Sequence, residues 1–373
     1  MISAALLERV ACPVCLEAEG CAACSRPAGH AACGEYAART RCACGGPDKV
    51  RLERGSAALR CPCCGASYPM NQAEGYADLA PRTRVGDVTQ YADHEFHERL
   101  GVVDAPPLLS ARIKADMMRG MLRPQPGETL LDLGCGAGKL ALYLGQGGVR
   151  TAGVDLAPFF LPRAVQQIDL VVGDLRRLPF RKAAFPKAYT LDVLEHLDEG
   201  GVLDVLVEAR RSLGREGRLF VYTHAMESSR IALFQRAVNR LAKRLGRAGL
   251  IDHEKEALRK SDHVNAIKSH EHFDALAAQA GLCVVERLYY NVVFKAVIED
   301  LLLRLVQQAR RGRKAPVAEP HAHPPGSFTP AAGPGRGALL LARAATWLLK
   351  LDVLLFGRVR TGPFFGLLAP RER

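Results

Sequence analysis

The sequence of 373 residues predicts an α/β protein with a doubly wound, mostly parallel sheet. Three observations lead to this fold class. Short apolar segments alternate with stretches of helical spacing. A glycine-rich loop, residues 134–138, directly follows the first of these segments. Acidic side chains follow the later segments, and such groups meet at the carboxyl edge of a parallel sheet, where ligands bind.

The first predicted strand covers residues 129–133 and runs straight into the glycine-rich loop. Gly134, Gly136 and Gly138 stand at alternate positions, where a side chain would prevent the backbone from approaching a bulky ligand. Residues 139–145 have the apolar spacing of a helix, whose free N–H groups would face the same ligand. The loop therefore predicts a binding site for a ligand of nucleotide size.

The next two predicted strands each end at an acidic residue. Residues 149–154 precede Asp155, whose carboxylate can accept hydrogen bonds from both hydroxyls of a ribose. Residues 168–172 precede Gly173 and Asp174. Both carboxylates are expected at the same edge of the sheet as the glycine loop.

The fourth and fifth predicted strands end beside histidines. Residues 187–191 lead to Glu195 and His196, and residues 217–223 lead to His224. Histidine is the side chain whose ordinary pKa suits proton transfer at neutral pH. His196 and His224 are therefore the candidate catalytic residues, with capping or packing as the alternative role for each.

These segments resemble those of the class I S-adenosylmethionine-dependent methyltransferases. Residues 131–138, 153–155, 173–175 and 191–197 match that family's first four motifs in order. The resemblance implies a seven-stranded Rossmann-like methyltransferase sheet and S-adenosylmethionine as cofactor. In it, Asp132 and the glycines would line the methionine moiety, Asp155 would hold the ribose, and Asp174 and the Leu175 amide would read the adenine. The implied cofactor-binding residues are Asp132, Gly134, Cys135, Gly136, Gly138, Asp155, Leu156, Asp174, Leu175, Thr190 and Leu191.

A nicotinamide dinucleotide fold is the competing interpretation of the same loop. Its fingerprint is Gly-x-Gly-x-x-Gly or Gly-x-Gly-x-x-Ala, and Lys139 stands where that last small residue is required. An acidic residue after the third strand has no place in that fingerprint either. The sequence therefore favours methyl transfer over hydride transfer.

Cysteine usage predicts a zinc-binding segment at residues 1–80 and a cytoplasmic location. Ten of the twelve cysteines lie within residues 12–64. In a reducing compartment such pairs indicate metal ligands rather than disulfides, and residues 1–10 show no secretory signal. The predicted metal ligands are Cys12, Cys15, Cys61 and Cys64 for a first zinc ion, and Cys21, Cys24, Cys42 and Cys44 for a second, with Cys33 as a further candidate.

The pairing between the two zinc sites stays open, because a cross-braced arrangement fits the same spacing. An iron–sulfur cluster uses the same ligands. The segment is expected to be structural, since a short piece with few large apolar side chains needs a metal to fold. Residues 61–81 also look like the head of certain bacterial rRNA guanine methyltransferases and like short zinc-ribbon proteins that accompany other methyltransferases, so substrate recruitment is the alternative role.

Two helical insertions are predicted beyond the sheet. A connector and a first helix occupy residues 81–127, and residues 128–373 form the methyltransferase domain. The first insertion, residues 228–260, is a basic amphipathic helix. The second, residues 295–360, is a helical pair around a linker at about 310–336 that is rich in proline, glycine and histidine and is predicted to be disordered. The last helix carries too many charges to span a bilayer.

The net charge of +12 permits an anionic partner: nucleic acid, a phospholipid surface or an acidic substrate. The order of motifs looks most like the small-molecule group that includes quinone-biosynthesis methyltransferases. We therefore expect a small-molecule or lipid-like methyl acceptor, with peripheral membrane contact as a further hypothesis. An rRNA or tRNA base methyltransferase is the first alternative, and a non-catalytic zinc-containing interaction protein is the second.

Overall fold

The computed structural model describes residues 2–14, 16, 52–62, 64–71, 75–80, 96, 104–229, 231–251, 261–306 and 336–371. The strands in this part of the chain are β1 (Glu53–Arg54), β2 (Ala58–Arg60), β3 (Ser67–Asn71), β4 (Tyr76–Asp78), β5 (Thr129–Leu133), β6 (Arg150–Asp155), β7 (Asp169–Val172), β8 (Phe185–Leu191), β9 (Leu213–His224), β10 (Leu282–Tyr289) and β11 (Pro363–Pro370). The α-helices are α1 (Ala4–Leu7), α2 (Leu109–Leu122), α3 (Lys139–Gly145), α4 (Pro162–Gln167), α5 (Glu199–Ser212), α6 (Ala232–Arg247), α7 (His270–Gln279), α8 (Val293–Val297) and α9 (Arg336–Phe356).

The strands form one sheet in the order β1-β2-β3-β4-β7-β6-β5-β8-β9-β11-β10. Strands β4, β7, β6, β5, β8 and β9 run parallel, whereas β11 is antiparallel to both of its neighbours. The order reverses at β5, which lies between β6 and β8. Ligands of open α/β sheets bind at such a reversal, at the carboxyl ends of the strands.

Strand β5 is buried along its whole length because helices cover both faces of the sheet. Leu131 and Leu133 point into one hydrophobic cluster, whereas Leu130 points into a second on the opposite face. This alternation follows from the two-residue period of a strand. Buried apolar side chains on both sides hold the end of β5, and with it the glycine loop, in a fixed place.

The N-terminal segment extends this sheet and packs against its core. Strand β4 pairs parallel with β7, and Leu6 and Val10 lie in the same hydrophobic cluster as Phe180. The hydroxyl of Ser3 donates a hydrogen bond of 2.6 Å to Asp169. The cysteine-rich segment therefore adds β1 to β4 at the edge of the seven strands β7-β6-β5-β8-β9-β11-β10, and the described residues hold eleven strands in one sheet.

Helix α9 of the second insertion packs beside α2, and α8 packs against α9. The backbone N–H of Leu109 donates to the hydroxyl of Thr346 at 2.9 Å, and Lys350 lies 3.0 Å from the Asp116 carboxylate. A short π-helix, Ile298–Leu303, continues from α8. The predicted linker at 310–336 falls almost entirely outside the described residues. No helix in the described part of the chain is long and apolar enough to cross a membrane.

Candidate functional site

The glycine loop is tightly packed at both ends and open in the middle. Gly134, Gly136 and Gly138 have positive φ angles of 78°, 49° and 78°, a region that side chains rarely adopt. A Cβ atom on Gly134 would lie 2.4 Å from Val193, and one on Gly138 would lie 2.7 Å from Ala164. At Gly136 no described heavy atom lies within 4 Å of that position. The centre of the loop therefore leaves room for a ligand beside exposed backbone.

The carboxylate of Asp155 lies at this open centre. One of its oxygens accepts a hydrogen bond of 2.7 Å from the N–H of Gly136, and the other accepts from Ala157 at 3.3 Å. Asp155 is half-buried at the end of β6, and Leu156 follows it, also half-buried. An accessible carboxylate and a glycine loop thus share one edge of the sheet, as the sequence predicted.

Asp132 lies deeper than Asp155. Its side chain is buried, and the hydroxyl of Tyr189 donates a hydrogen bond of 2.8 Å to it. Burial raises the pKa of Asp132 to about 7, the Asp155 charge contributes in the same direction, and the Tyr189 hydrogen bond opposes the rise. Burial also raises the pKa of the Cys135 thiol, which packs against Gly153. The Cys135 side chain therefore packs against β6.

Asp174 and Leu175 stand at the neighbouring strand end. The Asp174 carboxylate accepts from the Arg176 backbone at 2.9 Å and pairs with the Arg176 guanidinium at 2.9 Å, so it shapes its own turn. Leu175 is half-buried. On β8, the Thr190 hydroxyl is buried and has no hydrogen-bond partner among the described residues, and Leu191 is half-buried.

A cluster of titratable side chains occupies the edge beyond β8 and β9. Ligand atoms of Glu195, His196 and His263 all lie within 4.8 Å of one another. His196 Nδ1 lies 2.8 Å from a carboxylate oxygen of Asp262. His224 Nδ1 lies 3.5 Å from Glu195, whose other oxygen accepts a hydrogen bond from Thr223 at 3.2 Å. The two histidines predicted from the sequence are therefore brought together by one buried glutamate.

Backbone hydrogen bonds hold this cluster together. The carbonyl oxygen of Glu195 accepts from the N–H groups of Val264 and Asn265, at 2.9 Å and 3.0 Å. Burial penalises the Glu195 charge, yet hydrogen bonding to His224 and the charge of His224 keep the pKa of Glu195 below its usual value. Burial and the neighbouring His196 lower the pKa of His263. The cluster can therefore present a carboxylate beside the neutral imidazole of His263.

A second cluster consists of thiols in the N-terminal segment. The sulfur atoms of Cys12, Cys61 and Cys64 lie within 4.8 Å of one another, with 3.5 Å between Cys12 and Cys64. The spacing fits a shared tetrahedral ion. The Tyr68 hydroxyl lies 3.1 Å from Cys12, and burial raises the pKa of Tyr68. The other predicted ligands, Cys15, Cys21, Cys24, Cys42 and Cys44, lie outside the described residues.

Sequence reasoning missed Asp262 and His263. Both lie within residues 261–269, which form no helix or strand and directly precede α7. The adjacent residues Ser261, Asp262 and His263 show no periodicity that indicates a site. The hydrogen bonds to the carbonyl oxygen of Glu195 bring this segment to the edge of the sheet. Tyr189 was also missed, because a tyrosine within a buried strand is usually a core residue.

Comparison with known proteins identifies the central segment. Residues 131–221 match the methyltransferase domain family. An uncharacterised methyltransferase of Synechocystis is 33% identical over 98 residues, which cover 26% of this chain and 46% of that protein. The tRNA U34 carboxymethyltransferase of Serratia proteamaculans is 32% identical over 127 residues, covering 31% of this chain and 38% of that protein.

Two further proteins share the region. The malonyl-[acyl-carrier protein] O-methyltransferase of Serratia marcescens is 31% identical over 103 residues, covering 27% of this chain and 40% of that protein. The chain thus spans less than half the length of the curated relatives it matches. Among solved structures, phosphoethanolamine N-methyltransferase 2 of Haemonchus contortus aligns with a TM-score of 0.46 and 15% identity, over 76% of this chain and 58% of the other.

The order of strands agrees with the family match. Strands β7, β6, β5, β8, β9, β11 and β10 stand in that sequence, with β11 alone antiparallel among them. The matched residues run from β5 to β9 and include the glycine loop, Asp155 and Glu195. Residues 131–221 therefore belong to the methyltransferase domain family, within a sheet that has the class I S-adenosylmethionine-dependent methyltransferase fold.

Proposed function

We propose that this protein transfers a methyl group from S-adenosylmethionine to an acceptor bound at the carboxyl edge of the sheet. The observation that carries the proposal is the Asp155 carboxylate, 2.7 Å from the Gly136 amide, at the open centre of the glycine loop. When bound, the cofactor supplies an electrophilic methyl group on a sulfonium. A loop with room at Gly136 and a carboxylate beside it fits a ligand with a ribose.

Each cofactor-binding residue receives a proposed role from its place in the fold. Asp155 accepts from the ribose hydroxyls. Asp132 and the amides of Gly134 to Gly138 line the methionine part, with Cys135 packing beneath them. Asp174 holds the turn that presents the Leu175 amide to the adenine. The remaining residues of the proposed pocket wall are Leu156, Thr190 and Leu191.

The residues beyond β8 and β9 are proposed to hold the acceptor. Methyl transfer is an in-line displacement, so fixing the nucleophile against the methyl group supplies most of the acceleration. Where the acceptor keeps a proton, a base must accept it. His224 suits this role because its ring is one-third exposed, whereas His196 is more enclosed and already bonded to Asp262. The Glu195 carboxylate lies 3.5 Å from Nδ1 of His224 and can orient its ring.

A small-molecule or lipid-like acceptor is supported by the outward face of α9. This helix buries Thr346, Leu349 and Asp352 and exposes other apolar side chains. The exposed apolar side chains recur at seven-residue spacing: Leu340, Leu341, Trp347, Leu348, Leu354 and Leu355. We propose that this face contacts an anionic bilayer, because the neighbouring insertion adds the basic helix α6. Apolar area and cationic charge together favour such a surface.

A tRNA or rRNA acceptor is the second candidate, supported by α6. Arg236, Arg240, Lys243, Arg244 and Arg247 are all exposed on this helix. A cationic face of this kind also fits phosphate groups of RNA, and one curated relative is a tRNA-modifying enzyme. A non-catalytic interaction protein is the third candidate, and it predicts that the glycine loop has no affinity for the cofactor.

The thiol cluster is proposed to hold a zinc ion that folds the N-terminal segment. Cys12 and Cys61 are buried, and both lie in the hydrophobic cluster of the main sheet. Zinc would therefore fasten this edge of the sheet, which is a structural role. A cytoplasmic location is proposed from the same cysteines, because free thiol ligands require a reducing compartment.

Isothermal titration with S-adenosylmethionine and S-adenosylhomocysteine tests the proposal. We expect the wild type to bind both, and Asp155→Ala to bind at least about tenfold more weakly, because hydrogen bonds to a charged group are lost. Glu216→Ala is the matched control, since its exposed carboxylate lies on β9 away from the loop. A wild type without affinity for either compound would overturn the methyltransferase proposal in favour of the interaction protein.

A further inference from the structure

We propose that Glu195, His196 and His263 form a binding site for a divalent transition-metal cation at the acceptor edge of the sheet. Their ligand atoms lie within 4.8 Å of one another, and the set offers one carboxylate oxygen and two imidazole nitrogens. Two histidines and one carboxylate are a ligand set typical of first-row divalent cations. Three protein ligands leave further coordination positions open.

The orientation of His196 supports this site. Its Nδ1 lies 2.8 Å from Asp262, so Nδ1–H donates to that carboxylate and the lone pair is left on Nε2. A ligand histidine that donates its other N–H to a carboxylate is the usual arrangement around protein-bound metals. Asp262 is therefore a positioning residue, which fixes the ring without touching the cation.

The two imidazole rings lie close together and nearly perpendicular to each other. The His196 and His263 ring centroids lie 4.7 Å apart, with an interplanar angle of 86°. The side chain of His196 is 14% exposed and that of Glu195 is 1% exposed. The carboxylate thus forms the closed floor of the site, while the imidazoles lie nearer to the solvent.

The backbone holds the third ligand in place. His263 precedes Val264 and Asn265, whose N–H groups both donate to the Glu195 carbonyl oxygen. The same segment continues to Ile267, whose carbonyl oxygen accepts from Met226 just beyond β9. These hydrogen bonds bring a segment remote in sequence against the end of β8, so a ligand set forms from parts of the chain about 67 residues apart by their numbering.

The site implies a class of acceptor. Open coordination positions on a cation favour oxygen donors such as a hydroxyl, a carboxylate or a phosphate. A cation here would therefore orient an oxygen-bearing acceptor at the strand edge, with His224 next to it. This role rests on the proposed function, whereas the cation site itself depends only on the three ligands.

Manganese binding tests the site without measuring activity. The EDTA-treated, full-length protein would be titrated with Mn²⁺, and free Mn²⁺ would be followed by its electron paramagnetic resonance signal. Mn²⁺ prefers oxygen and nitrogen ligands to thiolates, so the N-terminal cysteines would contribute little. We expect one bound Mn²⁺ per chain. Affinity should fall at least about tenfold in His263→Ala and in Glu195→Gln, and by about tenfold in Asp262→Asn.

His272→Ala is the matched control, because His272 lies on α7 outside the cluster and should leave affinity unchanged. Should Glu195→Gln fail to fold, His263→Ala and Asp262→Asn keep the test decisive, since both side chains are partly exposed. No bound Mn²⁺ in the wild type, or equal affinity in all variants, would overturn the site. Titration with S-adenosylmethionine in EDTA separates the two proposals, because cofactor affinity without Mn²⁺ binding removes only the cation site.

Discussion

The hydroxyl of Tyr189 donates a hydrogen bond of 2.8 Å to the carboxyl group of Asp132, and both side chains are buried between neighbouring strands. Asp132 belongs to β5 and Tyr189 to β8, the two strands on either side of the crevice where the sheet order reverses. The pair therefore links the strand before the glycine loop to the strand that leads to Glu195 and His196. Its buried carboxyl group also makes stability depend on pH.

Asp132→Asn should change the pH dependence of unfolding. The pKa of Asp132 is about 7 in the folded protein and near 3.8 when exposed, so between these values the unfolded chain is ionised while the folded protein stays protonated. Wild-type stability should therefore fall relative to the variant as pH rises from about 4 to 7, by at most about 1.4 kcal/mol per pH unit. Urea denaturation at several pH values measures this. In Tyr189→Phe the pKa of Asp132 should rise further, so the loss of stability should continue to higher pH. A stability difference between the wild type and Asp132→Asn that does not change with pH would refute the assignment.

Gly138→Ala should destabilise the loop more than Gly127→Ala does. Both glycines have positive φ angles, but only Gly138 has a neighbour in the way, with Ala164 at 2.7 Å. We expect about 1–2 kcal/mol from the φ angle alone at Gly127, and a larger loss at Gly138 together with weaker cofactor binding. Denaturation measures the loss of stability, and cofactor titration measures the loss of affinity. Equal losses in the two variants would show that the contact with Ala164 is relieved elsewhere.

Cys61→Ser should remove about one zinc ion per chain. Its sulfur is one of the three clustered thiols, and a hydroxyl is a poor zinc ligand. Metal analysis of the purified protein measures the zinc content, and a lower melting temperature should accompany the loss because the segment packs on the main core. Cys283→Ser is the control, since Cys283 lies in β10. Unchanged zinc in Cys61→Ser would contradict the assignment.

Asp352→Ala should destabilise the protein by about 1–3 kcal/mol. The buried carboxylate accepts hydrogen bonds from the N–H groups of Phe294 and Lys295, at 2.8 Å and 3.0 Å. Removing it leaves two donors without their acceptor. Leu354→Ala, on the exposed face of the same helix, should change stability by no more than about 0.5 kcal/mol. The midpoints of urea denaturation measure both changes in stability. Equal midpoints for the two variants would contradict this prediction.

Trp347→Ser combined with Leu354→Ser should weaken membrane binding without unfolding the protein. Both side chains are more than two-thirds exposed, at 71% and 77%. We expect the wild type to sediment with phosphatidylglycerol-containing vesicles and the double variant to sediment several-fold less. Val207→Ser is the control, because it removes an exposed apolar side chain from α5. Equal sedimentation of all three proteins would exclude α9 as the contact.

Local patterns in the sequence were sufficient for the central sheet. Strand and helix periodicity, the glycines at alternate positions and the acidic strand ends are properties of adjacent residues. They predicted β5 to β9 within a few residues. They also placed Asp155, Glu195, His196 and His224 at one edge, because parallel strands bring their carboxyl ends together.

The tertiary structure alone decided which remote segments meet that edge. No periodicity joins β4 to β7, brings Asp262 and His263 against Glu195, or turns the polar side of α9 inward. These contacts depend on packing and hydrogen bonds between residues far apart in the chain. Bringing such residues together costs the entropy of closing the intervening loop, which the buried contacts must offset. The sequence by itself determined the glycine loop and the succession of the main strands along the chain, whereas the remote segments that meet this edge of the sheet were brought there only when the chain folded.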